Sequence, residues 1–294
     1  MQDAQHSLNS FQRWPLAVVL GTNEIASAVA IPLTRAGYSV VMCHDPFPPV
    51  IRRAMSFHDA LFEDPAEVDG VIGERAESLL EIVSVVSKRD RVAVTPLSLT
   101  DLLAMRRADV LVDARMQKHR VTPDFRWLAG VTVGLGPKFV VGVNCDVAVE
   151  TRPVHNGALV EKGSTEAPDG VSRKLGGVGA ERFVYTTCAG TWRTPVDIGM
   201  WIPKGFAVGR HRDVSVQAPL DGFVRGVARD GTFAPEGVKL LEMDPRGRAA
   251  CWRGTDERGR VIADATFEAI NRFKARPSAP GETAKAEPFC GAKP

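Results

Sequence analysis

The sequence predicts an α/β protein in which a Rossmann-like parallel-sheet domain is followed by a small all-β lobe. Two observations carry that prediction. Up to about residue 150, short apolar runs alternate with segments of helical period, the pattern of a parallel sheet covered by helices. Beyond it the texture changes to short strands separated by glycine and proline turns. A length of 294 residues fits two such domains.

The elements follow in order. LAVVL, Leu16–Leu20, is an apolar run ending at Gly21, as in a buried parallel strand. In NEIASAVAIPLTRAG, Asn23 caps a helix, Glu24 lies in its first turn and Gly37 ends it. Ile25, Ala28, Val29 and Leu33 share one helix face, while Pro32 should kink or shorten the helix. YSVVMC, Tyr38–Cys43, completes a β-α-β unit of the Rossmann kind. Glu74–Asp90 has helical period, RVAVTP reads as a strand, and Ser98 caps a helix in SLTDLLAMRRAD. DVLVDA (Asp109–Ala114), VTVGLG (Val131–Gly136) and VVGVNCDVAVE (Val140–Glu150) complete the sheet.

Residues 157–182, rich in glycine and charge, read as an irregular connecting or active-site loop. Within 183–273, IGMWIPKGFAVG and DGTFAPEGVKLLEMD share a turn, a proline, a glycine and an apolar strand, a weak duplication that suggests two hairpin halves. The expected organisation is a flexible N-terminus over 1–14, a Rossmann-like domain over 15–156, the loop over 157–182, a mainly β lobe over 183–273 and a disordered tail over 274–294.

Composition narrows the function classes. The net charge of +2, from 37 basic and 35 acidic residues, gives no reason to expect nucleic acid. No apolar run approaches the roughly 18 residues of a membrane span, and the polar N-terminus lacks the apolar core of a signal peptide. A cytoplasmic protein is expected, with a homo-oligomer left open. Cys43, Cys145, Cys188, Cys251 and Cys290 are scattered without a CxxC pair, so neither a disulfide framework nor a structural metal site is expected.

The densest mixture of candidate groups lies between Val131 and Gly163. Gly134, Gly136 and Gly142 omit side chains where a backbone turns sharply or approaches something closely. With Lys138, the Gly134–Phe139 segment could present backbone N–H groups to an anion; a tight turn between strands fits the same residues. Cys145 stands beside Asp146, which would raise its pKa, so it is a weak candidate nucleophile. His155, in a loop, is a candidate general acid/base or oxyanion donor, with Glu150, Thr151 and Asn156 nearby.

Ligands of open α/β sheets sit beyond the carboxyl ends of strands. That places Gly21, Asp113, Arg115 and Lys118 where a ligand would lie. His44 and Asp45 end the second strand, where an acidic residue holds a ribose hydroxyl in dinucleotide binders; a solvated loop acid fits as well. The first loop holds only Gly21 of a GxGxxG pattern, and Glu24 would repel a phosphate, so a plain strand-to-helix turn fits too. Arg52 and Arg53 suit phosphate or carboxylate recognition, and a surface pair flanking a helix fits equally.

GLGPKF, GVNCDVAVETRPVHNGALVEKG and LGGVGAER, with DVLVDARMQKH upstream and APLDGFVRGVARDGTFAPEGVKLLEMDPRG downstream, resemble the selenium-dependent molybdenum hydroxylase system protein family. Its members are related to accessory proteins of xanthine and carbon monoxide dehydrogenases. The resemblance implies a maturation role toward a client molybdenum hydroxylase, with a molybdopterin-type cofactor as bound ligand. It implies a Rossmann-like domain and a biotinyl/lipoyl-type hairpin sandwich. By position it carries over Gly134, Gly136, Pro137, Phe139, Gly142, Glu150, Thr151, His155 and Gly163. The lobe has no lysine between Gly209 and Pro219, so it would act as scaffold and not as a swinging arm.

Three functional readings stand at this point. The first is a maturation factor binding a phosphorylated molybdopterin-type cofactor beside Gly134–Phe139. Arg52, Arg115 and Lys138 would meet its phosphate, and His155 and Glu150 would line the pocket. The second is an NAD(P)- or nucleotide-dependent enzyme of Rossmann type. The third is a non-catalytic interaction scaffold that presents Trp192, Trp201 and Trp252 to a partner.

Overall fold

A computed structural model describes residues 14–64, 66–117, 122–168 and 170–276. The expected lead-in up to residue 13, Lys118, and the tail from residue 277, with Cys290, lie outside the described residues.

The first part of the chain forms nine strands: β1 (Leu16–Leu20), β2 (Ser39–Cys43), β3 (Ala66–Val68), β4 (Val71–Arg75), β5 (Arg91–Thr95), β6 (Ala108–Asp113), β7 (Ala129–Leu135), β8 (Val147–Val149) and β9 (Leu159–Val160). They join one sheet in the order β3-β4-β5-β2-β1-β6-β7-β8-β9. Pairing from β4 to β8 is parallel, but β3 and β9 pair antiparallel at the two edges. Side-chain alternation sorts the core into two clusters. Ala17 and Val19 join the cluster on one face, and Leu16, Val18 and Leu20 join the other.

Helix α1 (Glu24–Arg35) is capped by Asn23, whose side chain accepts from the N–H groups of Ile25 and Ala26. It continues through Pro32 to Arg35, and the Pro32 carbonyl accepts from Ala36 N at 2.9 Å. The helical pattern of Glu74–Asp90 contracts to α2 (Leu79–Val86), because Val71–Arg75 is recruited as a strand and Ser78 caps the helix. Ser98 and Asp101 form a reciprocal capping box at the start of α3 (Leu99–Leu103).

The rest of the chain builds β10 (Phe183–Tyr185), β11 (Gly190–Arg193), β12 (Trp201–Ile202), β13 (Ala207–His211), β14 (Val214–Gln217), β15 (Gly222–Val227), β16 (Phe233–Ala234) and β17 (Lys239–Asp244). These make two antiparallel sheets, β10-β17-β15-β12 and β14-β13-β11-β16. The two duplicated phrases each cross between them: β12 and β13 lie in different sheets, as do β16 and β17. Their shared core draws Trp192 and Val208 from one sheet and Val224, Leu241 and Met243 from the other.

The chain then returns. Asp256 caps α4 (Glu257–Lys274), whose Ile262, Ala263, Ala269 and Ile270 complete the α1 side of the nine-stranded sheet. Full burial of each isoleucine contributes about 1.5–3 kcal/mol. This corrects the expected fold class of a Rossmann-like parallel-sheet domain followed by one small hairpin sandwich. The main sheet is mixed, two separate antiparallel sheets accompany it, and the last helix belongs to the first sheet's core. The physical reason is that the apolar face of α4 has its complement on α1 and the sheet, far upstream in sequence.

Candidate functional site

Two arginines clamp the segment after β2 onto the antiparallel sheets. Arg52 Nε lies 2.7 Å from Glu242 Oε2 on β17, and its Nη1 lies 2.9 Å from Glu24 Oε1 at the start of α1. Arg53 donates to Asp59, to Asp197 and to the Val227 carbonyl. Val227 N in turn donates to the Ile51 carbonyl at 2.8 Å. Gln117 Nε2 holds the other end of the segment, donating to Asp45 Oδ2 at 2.7 Å and to the Phe47 carbonyl at 3.2 Å.

This clamping brings His44, at the carboxyl end of β2, opposite His58 in a short 3-10 turn (His58–Phe62). Thr22, from the β1–α1 loop, stands between them. Its Oγ1 is 2.9 Å from His58 Nδ1 and 3.4 Å from His44 Nδ1. The imidazole centroids are 5.3 Å apart. Both rings line a cavity of about 210 Å³ whose walls include Phe47, Phe62, Val50 and Phe233. It opens where the carboxyl edge of the sheet meets the turn between β15 and β16.

The electrostatics keep both imidazoles neutral near pH 7. Burial pushes His58 down to about 3, and the nearby His44, Arg53 and Arg229 add to that fall. Burial also lowers His44, against the pull of Asp45. Arg229 brings a guanidinium to the wall, but its charge is met by Asp64 at 2.6 Å and its plane covers the Phe62 ring at 4.2 Å. Among the described residues no group of three or more His, Cys, Asp or Glu side chains converges as a metal would need.

The residues singled out from the sequence fall into separate places. Gly21 has φ 103°, and a Cβ there would meet the Ala114 carbonyl at 3.2 Å; it serves a backbone crossing. Asp113 and Arg115 form a bidentate pair beside a recess of about 10 Å³, lined also by Met116, Gln117 and Phe139, which is room for one water. Gly134 lies under the Phe139 ring, and Gly136, at φ 101°, faces Met116. The Gly142 carbonyl accepts from Arg126. Lys138 is exposed on a left-handed turn at φ 71°.

The Glu150–Asn156 group is a third place. Glu150 is buried, and its carboxylate accepts from the N–H groups of Thr151, Arg152 and Glu166 at 2.7–2.8 Å. It therefore pins the chain around it. His155 is exposed and pairs with Glu166, which also pairs with Arg152. Thr151 and Asn156 bind α4 through Arg258. Cys145 packs with Phe139 and Ala148, and burial, with Asp146 beside it, pushes its thiol up to about 12.

His58 escaped the sequence reading. Its neighbours in SFHDALF carry no motif, and only the approach of Thr22 and His44 gives it a role. His44 is legible in the sequence only as a residue that ends the second strand.

No family model matches the chain. It is 30% identical over 256 residues to the uncharacterized protein YqeB of Escherichia coli K12. That match covers 87% of this chain but 47% of YqeB, so the chain spans about half the length of the curated relative it matches. Among solved structures, product-bound EutE, an ectoine utilization protein from Ruegeria pomeroyi, is 13% identical, with 78% of this chain and 85% of that chain covered, at a TM-score of 0.23. A succinylglutamate desuccinylase from Silicibacter sp. TM1040 is 12% identical, with 78% and 84% covered, at a TM-score of 0.24. Scores this low carry neither fold nor activity to this chain.

The expected kinship with molybdenum hydroxylase system proteins is corrected: no family model matches the chain, and the relative it matches carries no molybdenum hydroxylase description. The maturation role falls with it, and so do the two alternatives. The geometry gives physical reasons. Arg52 is already satisfied by Glu24 and Glu242, and Arg115 by Asp113. In the Gly134 loop, Phe139 N donates to Thr165 and Val140 N to Asn144, so these N–H groups are not turned to an anion. The nucleotide position at the start of α1 is filled by the Asn23 cap. Of the tryptophans offered to a partner, Trp192 is core, with its indole N–H on the Ala228 carbonyl, and Trp252 stacks on Phe223.

Proposed function

We propose that the protein binds a small organic molecule in the cleft beneath the Asp45–Val50 segment and holds it by hydrogen bonds to His44 and His58. One observation carries this reading. Two neutral imidazoles, joined by a buried threonine hydroxyl, stand in the wall of an otherwise largely apolar cavity of about 210 Å³. Small-molecule sites combine apolar walls with a few placed polar groups in this way. Here both Nδ1 atoms turn to Thr22, and no hydrogen bond to either Nε2 is made among the described residues.

We place the protein in the cytoplasm, since Cys43, Cys145, Cys188 and Cys251 are free thiols of the sort a reducing compartment maintains. No helix among the described residues is long and apolar enough to cross a membrane.

The test is a fragment screen read by NMR of the histidine ring nitrogens. At least one fragment should shift His44 and His58 together and saturably, and His44→Ala should abolish the His58 response. If no fragment moves both rings at millimolar concentration, the cleft is not a ligand site.

A further inference from the structure

We infer that this cleft selects an uncharged aromatic molecule with an amide-like edge, an N–H beside a carbonyl, an inference that rests on the cleft being a ligand site. The argument starts from the single proton of the Thr22 hydroxyl. That hydroxyl has one proton and two lone pairs, and the two Nδ1 atoms are its partners among the described residues, so its proton is used only if it donates to one of them and accepts from the other. Two neutral imidazoles held this way must be opposite tautomers. One then carries its proton on Nε2 and the other has a bare Nε2. The pair offers the cleft one donor and one acceptor, with ring centroids 5.3 Å apart. An amide edge is the complementary pattern, acceptor against donor and donor against acceptor.

The rest of the ligand follows from walls and charge. Phe47, Phe62 and Phe233 line the cavity, and flat rings stack or meet such side chains edge to face. The volume of about 210 Å³ exceeds the roughly 150 Å³ apolar cavity that holds benzene. An anion would find no unpaired cation, because Arg229 is neutralised by Asp64 and Asp59. A cation would find no carboxylate among the described residues of the cavity wall, where Arg229 stands.

Carbostyril, a neutral bicyclic lactam, is the probe. It is compared with N-methylcarbostyril, which lacks the donor, with quinaldate, an anion, and with cyclohexanecarboxamide, which has the edge but no ring face. Carbostyril should shift both histidine rings and bind at least about ten-fold more tightly than each of the others, a difference of about 1.4 kcal/mol. Thr22→Val should erase its advantage over the N-methyl compound, and Thr22→Ser, which keeps the hydroxyl, should preserve it. Equal binding of N-methylcarbostyril to the native protein overturns the amide edge. Equal binding of the carboxamide overturns the aromatic requirement, and tighter binding of quinaldate overturns neutrality. All three outcomes leave the cleft a ligand site. If carbostyril shifts neither ring the inference fails, and the fragment screen alone then decides whether the cleft binds anything.

Discussion

The hydroxyl of Thr22 stands 2.9 Å from Nδ1 of His58, both groups buried, and it ties the first loop of the nine-stranded sheet to the segment that follows β2. The contact is polar, local and shielded from water. Removing it leaves a buried ring nitrogen without a partner, which costs about 1–3 kcal/mol. Thr22→Val, close in shape, should lower unfolding stability by that amount in urea titrations. A change under about 0.5 kcal/mol, the range of neutral surface substitutions, would show that the contact is idle.

His58 should make stability depend on pH. Its native pKa is near 3, against about 6.5 unfolded. The unfolded chain therefore binds more protons at this site between those values, so stability is complete above about pH 6.5 and is lost as pH falls toward 3. The full effect is roughly 3–5 kcal/mol. Unfolding free energies of native protein and His58→Asn, measured from pH 4.5 to pH 7.5, should converge as pH falls. Parallel curves would refute the shift.

Glu242 is the buried hub on which Arg52 and Arg182 converge, with its oxygens 2.7–3.1 Å from their nitrogens, and Arg225 lies at 3.6 Å. Its carboxylate is held below its ordinary pKa because the guanidiniums outweigh the cost of burial. Glu242→Gln leaves those cations under-compensated and should destabilise by about 3–5 kcal/mol. Because Arg52 also pairs with Glu24, Arg52→Met should loosen α1 as well, visible as faster amide exchange near Glu24. Unchanged exchange there would mean the clamp does not couple the two parts.

Gly134 is a packing glycine. A Cβ at this position would lie 2.1 Å from the Phe139 ring, so Gly134→Ala should cost about 1–3 kcal/mol through overpacking. Phe139→Leu should recover part of that cost in the double variant. Additive losses by thermal unfolding would indicate a different origin.

Much of the scaffold was written locally. The apolar runs of β1, β2 and β5, the Asn23 cap, and the Ser98–Asp101 box all act within a few residues, where period and capping chemistry suffice. Val140–Glu150 shows the limit. Only Val147–Val149 pairs as a strand, because Asn144 turns back onto Val140 N and the Lys138 carbonyl. Likewise α4 carries a periodic apolar face from Ile262 to Ile270, yet nothing nearby in sequence shows where it packs.

The candidate groups divide on the same line. By itself the sequence determined which chemistry is available: scattered cysteines, a histidine at a strand end, glycines at turns, and basic and acidic side chains in nearly equal number. Partnership was decided by the tertiary structure. It gave Arg52 to Glu242 across the interface, spent Glu150 on backbone N–H groups, and left His155 exposed beside Glu166. It also brought Thr22, His44 and His58 together from three segments. The reason is that hydrogen-bonding and desolvation act over a few ångströms in space, while periodicity and spacing report neighbours only along the chain.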